Sequence, residues 1–104
     1  MISVTSNDIP GMTITESKGI VYGNSVRARH VGRDITAAFR NLVGGEVPEY
    51  AKLMAESRAE ALGRMEQRAE EMGANAVVAL RFSTSMVMSG AAELLAYGTA
   101  VVAE

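Results

Sequence analysis

The segment from Pro48 to Met72 most constrains the fold of this chain, because it carries about 25 residues of unbroken helical pattern. Pro48 suits the first turn of a helix, where a missing N–H costs nothing, and Gly73 supplies a left-handed residue that ends one. The helix would be roughly 37 Å long at the usual rise per residue. Gly63, near its middle, costs about 1 kcal/mol relative to alanine and so predicts a close contact with another backbone.

The apolar sector of this helix covers about 200° of its circumference, whereas a helix on the surface of a globular protein needs only ~100°. A small sheet cannot cover so wide a sector, so we expect part of it to meet another subunit. Arg58 and Arg68 also fall in this sector, where each guanidinium needs a carboxylate or carbonyl partner. Asp34 and Glu93 are candidate partners. The apolar sector comprises Tyr50, Ala51, Leu53, Met54, Ala55, Ser57, Ala61, Leu62, Met65, Ala69 and Met72.

The segments around the helix have the patterns of strands. Residues 2–5 predict a short edge strand, and residues 12–26 predict a longer strand with a bulge at Gly19. Residues 74–88 alternate between apolar and polar types, which predicts a strand with one buried face that includes Met86 and Met88. Residues 93–103 predict its hairpin partner, whose two apolar faces again indicate a neighbouring subunit. With a short helix at 34–43, the chain predicts a single α+β domain over 1–104, one long helix packed on a small antiparallel sheet.

Composition and charge exclude several classes of protein. The net charge of −2 gives no basic surface for nucleic acid, and the absence of cysteine excludes disulfides and thiolate sites. No signal peptide or membrane-spanning run is visible, so we expect a cytoplasmic protein. The chain has no Trp and only 5% aromatic residues, so each buried residue fills little volume. Association of copies would compensate for this.

Four parts of the chain together form a recognisable set: VGRDITAAFRNLVGG at 31–45, Tyr50, MGANAVVALRFSTS at 72–85 and ELLAYGTAVV at 93–102. They resemble the YbjQ-like family, a group of small uncharacterised bacterial and archaeal proteins labelled "putative heavy-metal-binding". The resemblance implies a fold like the dodecin subunit, assembled as a ring, a homopentamer. It brings no set of ligand residues, and His30 stands where other members commonly carry asparagine.

His30 is the candidate metal ligand, because it is the only histidine and imidazole binds zinc and copper. One histidine cannot complete a tetrahedral site, so a transition metal ion would need several subunits or Asp34. The simpler interpretation is an exposed loop histidine. Met86 and Met88 are a second candidate, since paired thioethers bind Cu(I), but core packing is the prediction we favour for them.

Basic residues near the start of the long helix suggest an anion site. Arg27, Arg29, Arg33 and Arg40 with Gly44-Gly45 could hold a phosphate, although the glycines also suit an ordinary helix end. The Tyr50 hydroxyl is expected to bond near the same glycines. The predicted ligand residues are therefore Arg33, Asp34, Tyr50 and Arg58, beside His30 for a metal.

The sequence gives little support for catalysis. It has no second histidine, no nucleophile elbow and no phosphate-binding loop, and the carboxylate pair Glu56 and Glu60 is predicted on the solvated face of the helix. We therefore expect no enzyme but a homo-oligomer that binds a heavy metal or another small ligand. Two alternatives stay open: a hydrolase or isomerase with a site between subunits, and a purely structural module that binds other proteins.

Overall fold

Four strands and one long helix form an α+β fold in the computed structural model, which describes residues 1–28, 48–88 and 91–104. The helix lies on a mixed sheet of strand order β1-β3-β4-β2, in which β1 runs parallel to β3 and the other pairs are antiparallel. The sequence predicted a wholly antiparallel sheet, and this prediction was wrong for β1, which runs parallel to β3. The predicted short helix lies outside the described residues. The elements are β1 (Ile2–Ser3), β2 (Ile14–Ala28), α1 (Pro48–Glu71), β3 (Ala76–Met88) and β4 (Ala91–Ala103).

Helix α1 has the predicted bounds. It begins at Pro48 and ends at Glu71, and Gly73 follows with a φ of 86°, the left-handed conformation that stops a helix. One stripe at four-residue spacing is fully buried against the sheet. The flanks of the predicted apolar sector are only half-buried or, at Ala55, exposed. The buried stripe consists of Ser57, Ala61, Met65 and Ala69.

Helix α1 and the sheet are in close contact at Gly23 of β2, whereas the backbone contact predicted at Gly63 is not made within the described chain. A Cβ added to Gly23 would meet the backbone of Ala61, Arg64 and Met65, with Arg64 C at 2.9 Å. A Cβ added to Gly63 would meet nothing within 4 Å. Gly63 therefore faces open space within this chain.

Strand β4 lies in the middle of the sheet, where both of its faces can be covered. Leu94, Ala96 and Ala100 pack in the core under α1. On the opposite face, Val101 and Ala103 pack in a second core with Ile9 of the N-terminal segment. The expectation that a strand with two apolar faces needs a neighbouring subunit is thus wrong for the 101–103 end, which the chain covers itself.

A bulge at Ala79 changes which residues of β3 face the helix. Ala79 has a φ of 54°, and the register against β4 shifts between Val78 and Arg81. Before the bulge Val78 packs in the second core, and after it Leu80 packs under α1. The sequence predicted that the even-numbered residues of β3 share one face, and the bulge makes this prediction wrong.

Met86 and Met88 lie at the far end of β3 and are 70% and 65% exposed. The prediction that they pack in the core was wrong: α1 packs mainly on β2 and β4, and the β3 residues in the core under it are Val77 and Leu80, near the start of the strand. Phe82, on the same strand, is 43% exposed. No helix in the described part of the chain is long and apolar enough to cross a membrane.

Candidate functional site

An open concavity of about 400 Å³ lies on the face of the sheet opposite α1, beyond the part that the N-terminal segment covers. Its floor carries two tyrosines side by side, because Tyr22 of β2 pairs in register with Tyr97 of β4. Ile20 is 78% exposed and Tyr22 is 54% exposed. We call this concavity the outer cleft; it is lined by Ile20, Tyr22, Asn24, Glu93, Leu95 and Tyr97.

The polar groups of the outer cleft lie together at one end. Asn24 Nδ2 donates a hydrogen bond of 3.3 Å to Glu93 Oε2. The remainder of the lining is aromatic or aliphatic. An apolar floor with a few grouped polar atoms is the usual character of a site for a small molecule or for a side chain of another protein.

Arg68 of α1 fixes Tyr22 from the edge of the sheet. Its Nη1 donates to the Tyr22 carbonyl at 2.8 Å, and its guanidinium carbon lies 5.3 Å from the centre of the Tyr22 ring, a cation–π distance. The sequence predicted that the Arg68 guanidinium would bond a carboxylate or a carbonyl, and the bond to the Tyr22 carbonyl confirms this prediction. A second concavity of about 410 Å³ lies beside Arg68. Ile20 and Tyr22 line both this concavity and the outer cleft.

A carboxylate-centred cluster joins α1 to β2, and sequence reasoning missed it. Glu60 Oε1 accepts a hydrogen bond from Ser25 Oγ at 3.0 Å and forms a salt bridge with Arg64 Nη1 at 2.9 Å. Glu60 Oε2 accepts from Arg27 Nη2 at 2.6 Å. The Ser25 hydroxyl, together with the charges of Arg27 and Arg64, lowers the pKa of Glu60 below its ordinary value. The Glu60 side chain is 33% exposed, so it is reached by solvent as predicted, but it is also paired with Ser25, Arg27 and Arg64.

The same cluster weakens the predicted anion site. Arg27 is bonded to Glu60, and its Nη1 lies 3.8 Å from Glu56 Oε2, so its charge is already compensated. The only sequence signal for this arrangement was the four-residue spacing of Glu60 and Arg64, which favours an ion pair on a helix. Nothing local indicated that Ser25 and Arg27 would lie opposite them.

Most of the predicted site residues cannot be placed. Of the predicted site, the residues outside the described part of the chain are His30, Arg33, Asp34, Arg29, Arg40 and Gly44-Gly45. The side chain of Tyr50 is likewise not described. Arg58 is described and is exposed on α1. Glu93, the partner proposed for the helix arginines, instead bonds Asn24 in the outer cleft.

The described residues contain no group of three or more histidine, cysteine, aspartate or glutamate side chains that could hold a metal ion. Exposed thioethers in the described residues are Met1, Met86 and Met88, of which the last two lie together at the end of β3.

The whole chain, residues 1–104, matches the sequence profile of the YbjQ_1 family, which is described as "Putative heavy-metal-binding". The chain belongs to the YbjQ family. Its relatives come from archaea and bacteria and carry the name UPF0145 protein. One from Thermococcus kodakarensis is 59% identical over 101 residues, which cover 97% of this chain and 89% of the relative. One from Dehalococcoides mccartyi is 50% identical over the full length of both chains.

The fold of this YbjQ-family chain is also found in a solved structure. A protein of unknown function of the DUF74 family from Pediococcus pentosaceus is similar over 100% of this chain and 98% of that one, with a TM-score of 0.70. The two sequences are 18% identical, so the likeness concerns the fold alone.

Proposed function

We propose that this protein is a non-catalytic subunit of a cytoplasmic homo-oligomer that binds a small ligand or a heavy-metal ion where subunits meet. The observation that carries the proposal is the open apolar face around the outer cleft. Following the family resemblance, the proposed assembly is a dodecin-like ring of five subunits.

Several large apolar and aromatic side chains are exposed together on this face. Ile20, Tyr22, Val26 and Tyr97 are between 39% and 78% exposed and lie on neighbouring strands of one face. Monomeric soluble proteins rarely expose contiguous apolar patches larger than roughly a few hundred Å², and larger patches mark interaction sites. A second copy of the chain is the occupant we propose, because the half-buried flanks of α1 offer a matching apolar surface.

A charge placed on the open face tests this assignment. Ile20→Glu introduces a carboxylate at a side chain that is 78% exposed, so the fold of the subunit should be unaffected. We expect light scattering after gel filtration to show a smaller particle, since the interface would have to desolvate the new charge.

Gln67→Glu adds the same charge to the exposed side of α1 and serves as the matched control. We expect this control to keep the mass of the unmodified protein. If Ile20→Glu has the same mass as the unmodified protein, the open face is not the interface.

Metal binding is supported by the family description and by the exposure of Met86 and Met88. A site near His30, Arg33 and Asp34 remains a prediction. Calorimetric titration of untagged protein with zinc, copper(I) and nickel tests both regions. We expect His30→Ala to abolish the heat with zinc and nickel, and Met88→Leu to reduce the heat with copper(I) only. If none of these metals gives heat with the unmodified protein, the metal part of the proposal is wrong.

The structure offers more support for binding than for catalysis. The carboxylate with a lowered pKa, Glu60, is held by Ser25, Arg27 and Arg64 in a cluster that joins two elements, as structural ion pairs do. A general acid or base would need a pKa moved toward the working pH. The lowering at Glu60 goes the other way.

A further inference from the structure

The two edges of the sheet differ in how their free backbone groups are covered. On β2, α1 places one arginine on each of two alternate carbonyls. Arg64 Nη1 donates to Asn24 O at 2.7 Å, and Arg68 Nη1 donates to Tyr22 O at 2.8 Å. Charged side chains along an edge oppose the addition of another strand. The edge of β2 is therefore closed around these two residues.

The opposite edge of the sheet is covered only at the first part of β3. Val4 N donates to Val77 O at 2.9 Å, and Leu80 N donates to Val4 O at 3.0 Å. Arg81 Nη1 then donates to Thr5 O at 2.9 Å, at the end of this cover. In the described residues, no backbone hydrogen bond reaches this edge beyond Leu80.

Within the described part of the chain, the uncovered edge runs from Phe82 to Met88, and its outward backbone groups have no partner among these residues. The N–H of Leu80 points to this edge, so by the alternation of a strand the N–H groups of Phe82, Thr84 and Met86 point the same way. All side chains from Arg81 to Met88 are exposed.

The segment Phe-Ser-Thr-Ser-Met-Val-Met carries no charge and no proline. Edges without charges, prolines or cover are the ones that take up a further strand. Two identical copies of this segment can approach without charge repulsion. By contrast, pairing with the β2 edge of another copy would have to displace Arg64 and Arg68 from their carbonyls.

We infer that the Phe82–Met88 edge pairs antiparallel with the same edge of a second copy, about a two-fold axis at Ser85. This register uses the whole uncovered length. It places Thr84 opposite the partner's Met86, so that residues with outward N–H groups face one another, as hydrogen-bonded pairs require. The register of β3 against β4 shifts between Met86 and Met88, so the regular pairing ends at Met86. Beyond this shift the partner's Met88 lies near Phe82, where a thioether can contact the aromatic ring.

This inference rests on the proposed self-association and makes it specific. A two-fold contact pairs subunits, so a ring of five would become an assembly of ten, and in the absence of a ring the chain would form a dimer. The β3 edge and the outer cleft are separate contacts, and each can be tested without the other.

A single cysteine at the axis tests the register. The chain has no cysteine, so Ser85→Cys can form only an intersubunit disulfide. In the inferred register the two Cα atoms of residue 85 form a non-hydrogen-bonded pair about 4.5 Å apart, within the range that a disulfide spans. We expect mild oxidation to convert the variant to a covalent dimer of twice 11.0 kDa on a non-reducing gel.

Ser83→Cys is the matched control, since it lies on the same face of the same strand and is equally exposed. Its two copies would lie roughly 13 Å apart along the strands at the usual rise, too far for a disulfide. Cross-linking of Ser85→Cys alone supports the inference, whereas cross-linking of neither variant, or of both to the same extent, overturns it.

Native mass spectrometry of the unmodified protein separates this inference from the proposed function. A multimer whose Ser85→Cys variant does not cross-link contradicts the edge pairing and leaves the proposed self-association intact. A monomer contradicts both. An odd-numbered assembly also contradicts the two-fold contact, because that contact pairs every subunit.

Discussion

Gly23 is the residue at which α1 comes closest to the sheet. The space for its missing Cβ is filled by the backbone of Ala61, Arg64 and Met65, none of which can turn aside as a flexible side chain could. Because Ala61 and Met65 are fully buried, this contact fixes the depth at which the helix packs. Gly63, two residues after Ala61, has open space around it.

Opposite effects are therefore expected from the same substitution at these two glycines. Gly23→Ala should lower the free energy of unfolding by about 2 kcal/mol or more, because it overpacks a backbone contact. Gly63→Ala should raise it by up to about 1 kcal/mol, because alanine is the better helix former. Urea unfolding at one protein concentration measures both. The described packing would be contradicted if Gly23→Ala left the free energy of unfolding unchanged. It would also be contradicted if Gly63→Ala lowered that free energy as much as Gly23→Ala does.

At the scale of elements, Glu60 connects α1 to β2 through Ser25 and Arg27. The hydrogen bond from Ser25 and the nearby arginine charges favour the ionised carboxylate, so the pKa of Glu60 is lower in the folded chain than in the unfolded chain. A group with a lowered folded pKa stabilises the fold above its unfolded pKa, and this contribution is lost as the pH falls through the folded value.

Removing the charge of Glu60 should therefore alter the pH dependence of stability. We expect Glu60→Gln to lower the Tm at pH 7, with a difference from the unmodified protein that shrinks as the pH falls below about 4.5, the ordinary value for this carboxyl. Glu70→Gln, on the exposed side of the same helix, should leave the profile unchanged. If the Tm difference between Glu60→Gln and the unmodified protein stays constant down to pH 3, the ionised carboxylate of Glu60 is not what stabilises the fold.

The elements that could be predicted are those whose signals are local. Pro48 and Gly73 mark the bounds of α1, and Gly19, with a φ of 100°, marks the bulge in β2. The bulge at Ala79 has no local signal, since alanine rarely adopts a positive φ. It coincides with the point where β3 passes from the second core to the core under α1, a change set by distant parts of the chain.

The candidate site was predictable to a smaller extent. The pattern of residues 93–103 predicted two apolar faces, and Leu95 and Tyr97 lie on the face that lines the outer cleft, because strand residues alternate between faces. The pairing of Tyr97 with Tyr22 depends on the register between β2 and β4, strands separated by more than sixty residues. The Glu60 cluster depends on that same packing of distant elements, so no spacing in the sequence reveals it.

At the scale of the whole molecule, the described residues of one subunit leave two apolar regions open. One surrounds the outer cleft on β2 and β4, and the other is the end of β3 from Phe82 to Met88. They lie on different elements, so two kinds of contact between copies are available. The N-terminal segment covers only the part of the sheet around Val101, and the remaining apolar area is what self-association would bury.

The mass of the unmodified protein in solution tests this account most directly. Sedimentation equilibrium of untagged protein at low micromolar concentration gives that mass without reference to shape. The account predicts a particle of several times 11.0 kDa whose mass does not change on tenfold dilution. A particle of 11.0 kDa across that range would contradict it, because the open apolar faces would then be stable in water without a second copy.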